Sequence, residues 1–159
     1  MATRGTIVVK IKDEDLGKKV KVNPKFLTRD EAVAEKYNKK CFEITLSKRY
    51  AEIYQHWDSY PEGLGASLVN GWTDYEKALN LILGGDASSV DEDGVTQYVV
   101  MEDRDEQYER LQPTFTDDVP NVSEEYQYLL DNGVWYVRDN YDIKEFKPVT
   151  EVLEKSEED

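Results

Sequence analysis

Tyr126-Gln127-Tyr128-Leu129-Leu130 and Val134-Trp135-Tyr136-Val137 are two aromatic and aliphatic runs joined by Asp131-Asn132-Gly133. Asn-Gly between such runs favours a two-residue type I′ turn, whose two central residues both need positive φ. The stretch predicts an antiparallel hairpin, and the rest of the chain is placed around it.

Upstream, residues 6–12 are rich in Val and Ile and read as a strand, followed by a turn at 13–17. Lys18 to Val22 alternate Lys with Val and are expected to pair back on that strand as a hairpin. Residues 41–46 and 50–57 read as two more strands with a tight connection at 47–49. The second puts Tyr50, Glu52, Tyr54 and His56 on one face, and Ala51, Ile53, Gln55 and Trp57 on the other. Thr28 followed by Glu31 is a capping box, which suggests a short helix over 28–36, with a mobile basic loop as its alternative.

Leu64, Leu68 and Val69 start a helix that Asn70-Gly71 breaks. Thr73 and Glu76 form a second capping box, before a helical face of Tyr75, Ala78, Leu79, Ile82 and Leu83 that Gly84-Gly85 ends. Residues 86–94 read as a loop, 95–101 as a strand, 102–112 as a loop or helical turn and 113–123 as irregular. A short helix is expected over 148–155. The sum is an α+β fold: one domain over 1–150, mainly an antiparallel sheet of about six or seven strands with two or three helices. Residues 151–159 are expected to be an acidic tail that frays.

The length of 159 residues suits one domain. No run reaches the ~18 apolar residues of a membrane span. The single Cys41 excludes an intramolecular disulfide and a Cys-rich zinc site, and fits a reducing compartment as a structural residue. The single His56 excludes a multi-histidine metal centre. The N-terminus lacks the apolar core of a signal peptide, so the expected location is the cytoplasm. No cofactor or metal is called for.

Charge is the most informative pattern. Residues 1–50 hold 13 Lys+Arg and 7 Asp+Glu, a net of +6, whereas residues 51–159 hold 7 and 27, a net of −20. Between Asp86 and Glu125, 13 acids face only Arg104 and Arg110. Such asymmetry suggests an electrostatic partner, though an acidic surface also serves solubility alone. Direct binding of nucleic acid is disfavoured, because phosphates demand a basic face. The basic N-terminal part would instead support self-association on the acidic half of another copy.

The stretch from Tyr54 to Gly65 is the most distinctive. It runs Tyr54, Gln55, His56, Trp57, Asp58, Ser59, Tyr60, Pro61, Glu62, Gly63, Leu64, Gly65. With the opening Met1-Ala2-Thr3-Arg4 and the segment Gly85-Asp86-Ala87-Ser88, it resembles a family of small bacteriophage and prophage proteins. These carry a Tyr-x-His-Trp-Asp-Gly-Tyr-Pro-x-x-x-Gly block; here Ser59 replaces the glycine. The likeness spans about residues 1–10 and 50–90. It implies a phage or mobile-element origin and no particular chemistry.

Two uses of the acids and the block follow. A phage protein this acidic would act on a host defence protein, such as a CRISPR nuclease or a restriction enzyme, by presenting carboxylates to its basic nucleic-acid-binding groove in place of phosphates. The candidate partner-binding residues are Asp91-Glu92-Asp93, Glu102-Asp103, Asp105-Glu106, Glu109 and Asp117-Asp118, with Tyr98, Tyr108 and Phe115 among them as anchors. The alternative is a ligand site at His56, Trp57, Asp58, Tyr60 and Glu62, where His56 beside Asp58 would be a general base. Equally, Trp57 and Tyr60 would anchor a tight turn, with His56 bonding within it and Pro61 and Gly63 setting the backbone. No residue is assigned a catalytic role.

Overall fold

The β-rich halves of the chain meet in one mixed sheet. The computed structural model describes residues 3–22, 42–97 and 113–158. Among these are ten strands: β1 Gly5–Lys10, β2 Lys19–Val22, β3 Phe42–Thr45, β4 Tyr50–Gln55, β5 Ala87–Asp91, β6 Gly94–Gln97, β7 Thr114–Thr116, β8 Tyr126–Asp131, β9 Val134–Asp139 and β10 Lys147–Pro148. The α-helices are α1 Ala66–Gly71, α2 Tyr75–Leu83 and α3 Val149–Glu158, with a π-helical turn at Pro61–Gly65 before α1. The class is α+β. The main sheet has eight strands in the order β10-β9-β8-β1-β4-β5-β6, with β7 also paired to β4, while β2 and β3 form a separate two-stranded sheet.

The hairpin at the centre of the sequence reading is β8–β9. Leu130 faces Trp135 and Asp131 faces Val134, with Asn132 at φ 53° and Gly133 at φ 81°. Next to it lies β1, parallel to β8 and antiparallel to β4. One face of the sheet carries Ile7, Val9, Ala51, Ile53, Tyr128, Leu130, Trp135 and Val137, packed in one core with Leu64, Leu68, Ala78, Ile82 and Val149 of the helical side. The other face is polar at its centre. Gln127, fully buried, donates to Glu52 Oε2 at 3.3 Å and to the Pro120 carbonyl at 2.8 Å. Arg138 donates to Gln127 Oε1 at 2.6 Å and to the same carbonyl at 2.7 Å. The segment after β7 is thereby tied across this face, and the buried Gln127 amide gains partners for both its nitrogen and its oxygen.

Several expectations are corrected. Residues 18–22 do not pair back on β1: β2 pairs with β3 in the register Val20–Ile44. β1 instead has both edges occupied, by β4 and β8, so no edge is left for β2. The main sheet is mainly antiparallel, as expected, with two parallel pairings, β1–β8 and β4–β5. Asp74, not Thr73, caps α2, its carboxylate accepting from the Lys77 amide at 3.1 Å. Residues 87–91 are a strand rather than a loop, since burial of Ala87 and Val90 outweighs the weak β-propensity of their serine neighbours. Residues 114–116 pair with β4. The boundary at 150 falls inside a helix: 151–158 continue α3, with Val152 and Leu153 packed on the core. The expected helix over 28–36 and the segment 102–112 lie outside the described residues. No helix among the described residues is long and apolar enough to cross a membrane.

Candidate functional site

The 54–65 block leaves the end of β4 and turns sharply into the helical layer. Its backbone is held at several steps. The amides of His56 and Trp57 donate to the carbonyls of Ala87 and Ser88 at 3.1 and 2.9 Å, which continues the parallel pairing with β5 beyond the strand. Asp58 takes φ 56°, the left-handed region that Asp tolerates better than most residues. The Ser59 amide reaches back to the Thr3 carbonyl at 3.0 Å, and the Leu64 amide to the Asp58 carbonyl at 3.0 Å.

Side chains lock the same turn from beneath. Gln55 Nε2 donates to the Trp57 carbonyl at 2.7 Å and to Ser59 Oγ at 3.3 Å. The buried Tyr128 hydroxyl donates to the Ser59 carbonyl at 2.7 Å. A methyl on Gly63 would stand 2.6 Å from the Asp58 carbonyl oxygen, and one on Gly5 would stand 2.7 Å from Ser59 Cβ. The block is thus a clamp joining the chain start, β4, β5 and the helices.

The alternative ligand residues differ in exposure. His56 is half-buried, and its Nδ1 lies 2.7 Å from the Tyr54 hydroxyl. Trp57, Asp58, Tyr60 and Glu62 are exposed. The two aromatics do not anchor the turn from inside: Trp57 is 48% exposed and Tyr60 38%, and the buried anchors are Ser59, Pro61 and Leu64. Among the described residues, no group of three or more His, Cys, Asp or Glu side chains is placed to hold a metal.

Of the ten candidate partner-binding acids, Glu102, Asp103, Asp105, Glu106 and Glu109 lie outside the described residues, as do Tyr98 and Tyr108. Asp91, Glu92 and Asp93 stand together at the β5–β6 turn, exposed, and with Ser67 they line a shallow recess of about 520 Å³. Trp72 of the helical side holds this turn by donating from Nε1 to the Asp91 carbonyl at 2.7 Å. Asp117 and Asp118 are also exposed but follow β7 into the segment that crosses the opposite sheet face. The described acids therefore form two groups rather than one patch. Phe115, on β7, is half-buried and packs against the core.

No protein-family model, curated protein or solved structure matches this chain.

A second concavity, of about 800 Å³, opens between the end of β1, the β8–β9 turn and the start of α2. Its cations are already engaged by the chain itself. Lys10 pairs with Asp131 at 3.7 Å, Arg49 with Asp13 at 2.5 Å, and the Lys12 ammonium sits over the Tyr75 ring. The Tyr75 hydroxyl donates to Asp15 at 2.8 Å; burial, with the Asp15 carboxylate, pushes it up to about 12.

Sequence reasoning missed one pair of carboxyls. Asp86, just before β5, accepts the Tyr54 amide at 2.9 Å, which fixes where β5 meets β4. Burial, reinforced by the negative charge of Glu52, pushes the Asp86 carboxyl up to about 6. Burial also raises Glu52, against the lowering effect of Gln127. Nothing in the sequence pairs these positions; only the parallel β4–β5 contact does.

The raised Asp86 has a consequence for stability. Between its ordinary value of 3.8 and about 6 the folded chain holds this proton more tightly than the unfolded one. Stability from this group is therefore greatest at low pH and falls as pH rises through that window. Asp86→Asn keeps an oxygen for the Tyr54 amide and removes the charge. It is expected to be more stable than the parent by about 2 kcal/mol at pH 7, with the gap closing towards pH 4. Denaturant melts at several pH values check this; a pH-independent gap contradicts it.

Proposed function

We propose that this chain is a phage-encoded anti-defence protein that occupies the basic nucleic-acid-binding groove of a host defence protein with a carboxylate surface. The observation that carries the reading is the net charge of −20 over residues 51–159, set beside the exposed turn of Asp91, Glu92 and Asp93. The likeness of the 54–65 block to phage proteins supplies the setting. Carboxylates on a folded frame pair with Lys and Arg as phosphates do, and the ordering cost is met before binding. The rigid attachment of the β5–β6 turn to Trp72 supports such a presentation. The groups recruited are this turn and the acids at 102–109; Asp117 and Asp118 stand apart and contribute only long-range attraction.

The test is phage survival on hosts carrying a CRISPR nuclease or a restriction system. Parent protein rescues the phage in one of them. Asp103→Lys, Asp105→Lys, Glu106→Lys and Glu109→Lys together abolish rescue while the melting transition stays in place. Replacing Asp91, Glu92 and Asp93 by Lys weakens target binding by about tenfold or more, since each reversed charge now faces like charge in the groove. Rescue untouched by both sets contradicts the proposal.

A further inference from the structure

The main sheet has one narrow seam. β1 is paired with β4 along the whole of Gly5–Lys10 and with β8 along Gly5–Val9, whereas β4 and β5 are in register only at Gln55–Ala87. Three amides of the segment 54–57 span that seam. His56 and Trp57 donate to the Ala87 and Ser88 carbonyls at 3.1 and 2.9 Å. The Tyr54 amide donates to the Asp86 carboxyl at 2.9 Å. A side chain thus serves as the first rung of the β4–β5 ladder.

That rung titrates, and its charged neighbour has the same sign. Asp86 is half-buried, and no Lys or Arg among the described residues pairs with it. The charge that acts on it is Glu52, on the same face of β4 as Tyr54. Glu52 is also half-buried. It accepts from Gln127 of β8 at 3.3 Å, is drawn on by Arg138 of β9, and is opposed by Glu124 just ahead of β8. Further along β4, His56 Nδ1 lies 2.7 Å from the Tyr54 hydroxyl. From α2 the chain reaches Asp86 through Gly84-Gly85, which brings no charge. Ionising Asp86 therefore sets a second negative charge near Glu52 in a partly desolvated place, where repulsion is stronger than in water.

We infer that Asp86 and Glu52 form a pH-sensitive latch on the β5–β6 hairpin, closed while Asp86 holds its proton and loosened when both carboxyls are charged. A protonated carboxyl keeps an acceptor oxygen for the Tyr54 amide, so protonation costs the seam no hydrogen bond. Burial and Glu52 raise Asp86 from 3.8 to about 6. The strength of the latch is full below the ordinary value and is lost as pH rises through the raised one. At its far end the hairpin stays tied by the Trp72 indole on the Asp91 carbonyl, so the loosening is local to the seam. The hairpin carries Asp91, Glu92 and Asp93, and pH sets how firmly that turn is held. The latch goes beyond the proposed function and stands without its partner.

The experiment uses the full chain labelled with ¹³C and ¹⁵N. The Asp86 carboxyl carbon is followed by NMR between pH 4 and pH 8. Amide hydrogen exchange, corrected for the intrinsic effect of pH, is read at pH 5 and pH 7.5. The carboxyl should titrate near pH 6, and Glu52→Gln should lower that midpoint. Protection of the Tyr54, His56 and Trp57 amides should fall by about tenfold between the two pH values, which is the factor that linkage gives for this shift. The amides of β1 and β8 should keep theirs. In Asp86→Asn the seam should be equally protected at both. His56→Gln is the control, because an imidazole also titrates near neutral pH; the fall should persist in it. An Asp86 midpoint near pH 4 overturns the latch. So does a fall that persists in Asp86→Asn, one that vanishes in His56→Gln, or an equal loosening of β1 and β8.

Discussion

Gly71→Ala is expected to unfold the protein or to strip the β5–β6 turn from its base. Gly71 ends α1 against the backbone of Glu92, and a methyl there would stand 2.6 Å from the Glu92 carbonyl carbon, 2.7 Å from its Cα, and overlap its oxygen. Neither neighbour is a side chain that can swing aside. The hairpin turn is held by the Trp72 indole on the Asp91 carbonyl, and Trp72 in turn accepts the Trp135 indole N–H on its own carbonyl at 3.0 Å. A shift of the turn therefore disturbs both hydrogen bonds and the buried rings between them. The cost should be about 3 kcal/mol or more, in the range of backbone and core overpacking. A thermal melt reads it directly. Gly133→Ala is the control of a different kind: nothing lies within 4 Å of that position, and only its φ of 81° opposes the change, so about 1 kcal/mol is lost.

Asp139→Ala is the second large effect. Asp139 is buried at the end of β9, and its Oδ1 accepts the amides of Tyr141, Asp142 and Ile143 at 2.9, 2.9 and 2.8 Å. Its own amide donates to the Ile143 carbonyl at 2.8 Å, so one residue closes the whole 139–143 turn. Ala leaves three donors without their acceptor. Water reaches the exposed Tyr141 and Asp142, which limits the loss to about 2–3 kcal/mol. Asp139→Asn retains one acceptor oxygen and should recover about half of that. The turn leads through β10 into α3, so hydrogen exchange in 149–153 should quicken in the Ala variant. Unaltered exchange there, with a normal melt, contradicts this account.

Local chemistry was readable; long-range choice was not. Asn132-Gly133 between aromatic and aliphatic runs determines its hairpin within a few residues, and α2 announces itself through its apolar face and the glycines after it. The Lys-Val alternation of β2 fits either β1 or β3 equally well, because register and partner are decided by which edges remain open. β5 hid behind Ser88, Ser89 and its acids, and became a strand through burial of Ala87 and Val90. The distinctive 54–65 block was legible as a tight turn. Its function as a clamp was not, since its partners are the carbonyls of Thr3, Ala87 and Ser88 and the Tyr128 hydroxyl. The sequence showed the acids but not that Asp91, Glu92 and Asp93 part company with Asp117 and Asp118.

The central claim is that this chain takes the place of nucleic acid in a host groove. Its most direct measurement immobilises the full chain, passes nuclease-treated lysate of a defence-bearing host over it, and elutes with duplex DNA at constant ionic strength. The account predicts a nucleic-acid-handling protein that is retained, released by the DNA, and not retained by the variant reversed at Asp103, Asp105, Glu106 and Glu109. A retained protein that DNA cannot displace, or that the reversed variant holds equally well, would contradict it.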